Sequence, residues 1–363
     1  MADLRVKICG IEFKNPVLPA AGPPTWNGDA MVACADGGAG GIVSKTISTS
    51  AAVVPEPCMA QFGRGSMLNT ELWSELPAEQ YVEKEYAQAK QTGLPLIISM
   101  GYTAEQIAEL APKVERFADA LELSTHYIGE DAGPMIAAIR AAKDAVDVPV
   151  IVKVSPLGRE MTAAAQAAEE AGADAIAAIN SFGPCLGIDT ETGLPLMGSG
   201  DGYGWLSGQA IKALSLRCIF DIARAVDLPI FGVGGVSRGT DAIEMFMAGA
   251  SAVQVCTAAI LQGPTVFGKI VSEMDGWLDD HGYASINDIK GLTVTKLQER
   301  AFRTTHLPPT LNVELCTGCG LCETSCVYHA IAVADKKAQL DEALCRGCGL
   351  CVTRCPVRAL QMP

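Results

Sequence analysis

Cys316, Cys319, Cys322 and Cys326 form one C-x-x-C-x-x-C-x-x-x-C run, and Cys345, Cys348, Cys351 and Cys355 form a second, closed by Pro356. Such a doubled quartet suits two 4Fe–4S cubanes, in which each iron takes one thiolate from the protein. A tight loop delivers three thiolates from one run, and the fourth then comes from the other. The expected sets are Cys316, Cys319, Cys322 and Cys355 for one cluster, and Cys345, Cys348, Cys351 and Cys326 for the other. Zinc sites or disulfides are the competing readings, but zinc usually takes its ligands as two separated pairs. A chain built this way handles electrons one at a time.

Two lysines stand where a cation is costly. Lys45 closes the run Gly41-Ile-Val-Ser-Lys-Thr, and Lys153 lies inside Val150-Ile-Val-Lys-Val. An ammonium within a buried strand needs something anionic beside it. That is either a carboxylate across the fold or a bound cofactor. Further on, residues 229–233 run into Gly234-Gly235-Val-Ser-Arg-Gly, and residues 252–256 run into Thr257-Ala-Ala. Glycine lets backbone N–H groups approach an anion, and a helix start adds positive potential. A phosphate site facing two lysines points to FMN. A flavin takes two electrons from an organic substrate and passes them singly to iron–sulfur clusters, so the two cofactors account for each other.

Eight short apolar runs position these residues: 17–20, 41–46, 95–100, 120–124, 148–154, 174–179, 229–233 and 252–256. Alanine-rich helical stretches lie between them at 104–118, 132–146, 162–171, 206–226, 240–248 and 264–281. Eight alternating units predict an α/β fold, a closed (β/α)8 TIM barrel with its chemistry at the C-terminal strand ends and a phosphate site after strands seven and eight. An open doubly wound sheet is the alternative. Residues 291–305 read as a polar helix or strap, and 306–310 as a linker. The expected domains are therefore a barrel over 1–305 and a cluster domain over 306–363. The latter is internally duplicated, Cys-Thr-Gly-Cys-Gly-Leu-Cys against Cys-Arg-Gly-Cys-Gly-Leu-Cys.

A formal net charge of −14 argues against nucleic acid or an anionic membrane as partner. No apolar run approaches the roughly 18–20 residues of a membrane span. The opening MADLRVKICGIEF lacks the apolar block of a signal peptide. Cys9, Cys34, Cys58, Cys185, Cys218 and Cys256 are scattered and read as reduced thiols, so a cytoplasmic protein is expected.

The barrel resembles the dihydroorotate dehydrogenase family. With its C-terminal ferredoxin-like region the chain looks most like the flavin/iron–sulfur subunit of bacterial dihydropyrimidine dehydrogenases. Lys14-Asn-Pro-Val-Leu resembles that family's opening strand, and Gly40-Gly-Ile-Val-Ser-Lys45-Thr its flavin-lysine strand. Ser66-Met-Leu-Asn69 matches a substrate-binding loop, Val152-Lys153-Val the second flavin lysine, and Ile179-Asn180-Ser181 a substrate Asn-Thr pair. Trp205-Leu-Ser-Gly208 resembles a family turn. Gly232-Val-Gly-Gly235 and Val253-Gln-Val-Cys256-Thr257 resemble its phosphate loops. The resemblance implies that Ala21, Lys45, Lys153, Gly208, Gly234, Gly235, Cys256 and Thr257 contact FMN, and that Asn69, Glu122, Asn180 and Ser181 face the substrate.

One departure stands out. The family's active-site strand usually ends Asn-x-Ser-Cys-Pro-Asn, or with Ser replacing Cys; here it reads Glu122-Leu-Ser-Thr125-His126-Tyr127. The proton-transfer cysteine has become Thr125. His126 and Tyr127 are stronger general acids, so they lead the candidates for proton transfer, with Thr125 and then Glu130 and Asp131 behind them. Glu122 either meets the substrate, repelling an anion such as orotate or acting as an acid, or pairs with a lysine. Glu71 and Trp73 shape the pocket on this reading, and Trp73 and Trp205 either stack on substrate or pack in the core.

The expected function is an FMN- and iron–sulfur-dependent oxidoreductase acting on an activated C–C or C=C bond of a small-molecule substrate. Its electrons pass through two 4Fe–4S clusters to or from a partner, either an FAD and NAD(P)H subunit or a ferredoxin. The chain is expected to be oligomeric. The alternative is an electron-transfer or scaffold subunit whose barrel has lost its substrate chemistry.

Overall fold

The computed structural model describes residues 2–124 and 131–363. It contains two compact units, one ending at Gln298 and the other running from Glu299 to Pro363.

The first unit is built on eight parallel strands: β1 (Val17–Pro19), β2 (Ile42–Val43), β3 (Leu96–Met100), β4 (Ala120–Ser124), β5 (Val150–Val154), β6 (Ala175–Ala178), β7 (Ile230–Val233) and β8 (Ala252–Val255). They pair in the order β1-β8-β7-β6-β5-β4-β3-β2. The ring is all but closed where the Gly40 amide donates to the Val17 carbonyl at 2.9 Å. This is the TIM-like barrel that the eight apolar runs predict. The runs are mostly apolar because both faces of each strand are covered, by helices outside and by the barrel interior inside. The few polar residues in them, such as Ser99, Glu122, Ser124, Lys153 and Gln254, are buried all the same.

The helices show why the alanine-rich stretches are amphipathic. The helix Ala104–Val114 buries Ile107, Leu110, Ala111 and Val114, one stripe at helical spacing, and starts on a Thr103–Gln106 capping box. Gly133–Ala145 does the same with Met135, Ala138, Ile139 and Ala142. A hairpin that the apolar pattern did not announce, Val6–Ile8 with Ile11–Phe13, precedes the barrel. Its turn places Cys9 at φ 51° and Gly10 at φ 83°, the two positive dihedrals that the tightest hairpin turns demand. Phe13 from this hairpin packs edge-on against Phe231.

One predicted element is corrected. Residues 206–226 are not one helix: Tyr203–Gly208 is a strand, a short 3-10 turn follows at Gln209–Ile211, and the helix begins at Lys212. That strand belongs to a second, antiparallel sheet made of Met59–Gln61, Ser66–Asn69, Tyr203–Gly208 and Phe182–Leu186. Among the described residues no helix is long and apolar enough to cross a membrane.

The second unit repeats itself. Gly320 at φ 77° opens the helix Leu321–Ser325, and Gly349 at φ 79° opens Leu350–Arg354. Two small antiparallel pairs complete it, Thr310–Leu311 with Leu360–Gln361 and Ile331–Ala334 with Lys337–Leu340. Its core consists of little more than Cys322, Ile331, Ala338 and Leu360.

Candidate active site

A cleft of about 1050 Å³, counted out to open solvent, is lined by residues that follow the barrel strands and by the antiparallel sheet. Ala21 follows β1, Lys153 projects from β5, Asn180 and Ser181 follow β6, Gly234 and Gly235 follow β7, and Cys256 and Thr257 follow β8. Asn69 and Gly208 reach the cleft from the antiparallel sheet. The structure therefore gathers at one place ten of the residues expected to touch cofactor or substrate.

The backbone after β7 is shaped for an anion. Gly234 and Gly235 take φ values of 119° and 85°, and a Cβ on Gly235 would lie 2.5 Å from that of Lys212. Among the described residues no acceptor meets the amide N–H of either glycine. Across the cleft the Thr257 hydroxyl donates to Ser207 at 2.9 Å. Gly208 (φ 82°) is fixed by crowding, since a Cβ there would lie 2.3 Å from the Gly65 carbonyl. Burial pushes the Cys256 thiol up to about 11, so it stays protonated and uncharged at neutral pH.

The two lysines differ from expectation in an instructive way. Each is held by glutamate. Lys153, 5% exposed, donates to Glu122 at 3.2 Å and to the Gln254 carbonyl oxygen at 3.3 Å. Gln254 Nε2 in turn donates to the second Glu122 oxygen at 2.5 Å. Glu122 is fully buried and does not line the cleft, so the residue expected at the substrate instead closes a triangle behind the wall. Lys45 also stands off the cleft. Its ammonium donates to Glu71 at 2.5 Å and Glu75 at 2.8 Å, and of these only Glu71 lines the cleft. Burial alone would depress Lys45, but the two carboxylates prevail and hold its pKa above the ordinary lysine value.

Two further cavities lie in the second unit. One is lined by Cys316, Cys319, Cys322 and Cys355, the other by Cys326, Cys345, Cys348 and Cys351. Backbone amides point at the sulfurs: Ala330 donates to Cys326 and Ala359 to Cys355, equivalent bonds in the two halves. Ala338 and Gly318 amides hold the Cys316 thiol below its usual range, which favours the thiolate. Among the described residues no three cysteine, histidine or carboxylate groups converge on one single-ion position. A cubane distributes its thiolates over four separate irons and makes no such demand.

A model of the dihydroorotate dehydrogenase family matches residues 3–278, and a 4Fe–4S dicluster domain matches residues 315–359. The chain belongs to the dihydroorotate dehydrogenase family. It is therefore a flavin oxidoreductase of the kind that acts on CH–CH groups, joined to a 4Fe–4S dicluster domain. It is 36% identical over 304 residues to the catalytic subunit of dihydroorotate dehydrogenase B (NAD(+)) from Methanothermobacter thermautotrophicus, spanning 80% of this chain and 98% of that one. The protein of the same name from Pyrococcus furiosus is 34% identical over 80% of this chain and 98% of its own. The one from Methanosarcina mazei is 36% identical over 80% and 95%. About a fifth of this chain thus lies outside the match to these relatives.

The candidates for proton transfer, His126, Tyr127 and Thr125, lie outside the described residues, as does Glu130. Neither Trp73 nor Trp205 lines the cleft. Trp73 packs edge-on against Tyr102, and its indole donates to the Ser50 carbonyl. Trp205 covers Gly183, where a Cβ would lie 2.8 Å from the ring. Residues that sequence reasoning passed over are Tyr102, which lines the cleft, and Gln254, which bridges Lys153 to Glu122. The signal for Gln254 was present: a lone amide in the apolar strand β8 needs polar company inside the barrel.

Proposed function

We propose that this protein is a dihydropyrimidine dehydrogenase-like oxidoreductase, using FMN to exchange hydride with a C–C or C=C bond in a cyclic amide. One observation carries the substrate class. Asn69 spends one N–H on the Trp205 carbonyl at 3.1 Å, and Asn180 spends one lone pair of its carbonyl oxygen on the Ser181 amide at 2.9 Å. Each amide keeps hydrogen-bonding capacity for a ligand, since its NH2 carries two N–H donors and its oxygen two lone pairs, so both a donor and an acceptor are left on Asn69 and on Asn180. A ring amide offers an N–H and a C=O side by side, which is the matching pair.

The chain's own residues divide the work. The Gly234 and Gly235 amides, beside Thr257, would hold the phosphate of FMN, and Lys153 would serve its ring. Asn69, Asn180 and Ser181 orient the substrate. His126, Tyr127 or Thr125 moves the second proton. When bound, FMN supplies the change from two-electron to one-electron transfer, and the cluster sets Cys316, Cys319, Cys322, Cys355 and Cys345, Cys348, Cys351, Cys326 carry single electrons onward.

The electrons come from or go to a separate partner, an FAD and NAD(P)H subunit or a ferredoxin. The family relatives are named catalytic subunits, which implies a further subunit for them. A cytoplasmic enzyme follows from the same reading. Under anaerobic conditions a dihydropyrimidine should bleach the flavin of the purified chain, whereas NAD(P)H alone should not. Rapid bleaching by NAD(P)H, or no response to any cyclic amide, contradicts the proposal. The second outcome would favour the electron-transfer alternative.

A further inference from the structure

Resting on the reading that FMN occupies the cleft, we propose that Glu122 is a positioning residue that holds Lys153 and cancels its charge at the cofactor site, keeping the bound flavin at a lower reduction potential than a lone lysine would give. Three observations converge. Lys153 lines the cleft, and Glu122 lies behind it with no exposed surface. The two side chains meet at 3.2 Å. Gln254 spans both, accepting from Lys153 and donating to Glu122, so neither partner can swing away without breaking a second bond.

Both carboxylate oxygens of Glu122 receive N–H donors, which is how an ionised carboxylate is satisfied. A lone ammonium beside a flavin favours the reduced, anionic ring. An ammonium with a carboxylate against it presents a dipole instead, whose field fades faster with distance than that of a single charge. The same theme recurs at Lys45, whose ammonium meets Glu71 and Glu75. In place of the family's usual asparagine on β4, this chain sets a negative charge behind its flavin lysine.

The test is spectroelectrochemistry on the intact chain and on Glu122→Gln and Glu122→Asn, with FMN content measured first. Both neutral variants should keep their FMN. Both should raise the midpoint potential, shifting the reduced-to-oxidised ratio at least tenfold, or about 30 mV for a two-electron couple. An unchanged or lower potential overturns the inference. So does loss of flavin from both variants, because Glu122 would then be building the site and not tuning it. A wild-type chain that takes up no FMN overturns the proposed function itself, before any potential is read.

Discussion

Stripping the iron anaerobically from the intact chain unfolds residues 299–363 and leaves the barrel folded. The reason is the size of the core. That unit has helices of five residues and strand pairs of two and four, around Cys322, Ile331, Ala338 and Leu360. So few buried side chains cannot offset the conformational entropy of ordering the segment, roughly 1–2 kcal/mol per residue for the backbone alone. Clusters bonded by thiolates from both halves, as proposed, would make up the difference. The barrel's core is one continuous cluster from Val6 to Ile289 and needs no such staple. Limited proteolysis with mass analysis checks this: the iron-free chain should be trimmed to a stable fragment ending near residue 298. A C-terminal unit that stays resistant without iron would refute it.

Replacing Lys153 with methionine should lower the barrel's stability by about 3–5 kcal/mol, because it strands a buried carboxylate without its cation. Glu122 has no exposed surface through which water could compensate. The double variant Lys153→Met with Glu122→Gln should recover most of that loss, since replacing both charges removes the unpaired group as well as the pair. Chemical denaturation of the four chains of this cycle measures it. Equal stability for the Lys153 variant and the wild type would mean that the pair does not exist as described.

Much of this was legible in the sequence, and the reasons are physical. The barrel strands are covered on both sides, so each leaves a mostly apolar run that needs no partner to be recognised. The glycines after β7 and the cysteine runs are local devices, with spacing that carries their meaning. The strand Tyr203–Gly208 was misread because it pairs with Ser66–Asn69, far away in sequence. The pairing of Glu122 is non-local too. Lys153 lies 31 residues away and Gln254 132, and they meet only when the barrel closes. Sequence alone left Glu122 divided between substrate and lysine, and barrel geometry chose the lysine. The hairpin at residues 6–13 was passed over because its strands are three residues each, although Cys9-Gly10 between alternating residues is a turn signal.

The central claim is that one polypeptide holds a two-electron carrier together with two one-electron carriers. An anaerobic reductive titration of the purified chain counts them directly. The account predicts about four electrons per chain, two entering the flavin and one entering each cluster, with both optical signatures bleaching. Uptake of two electrons or fewer would contradict it.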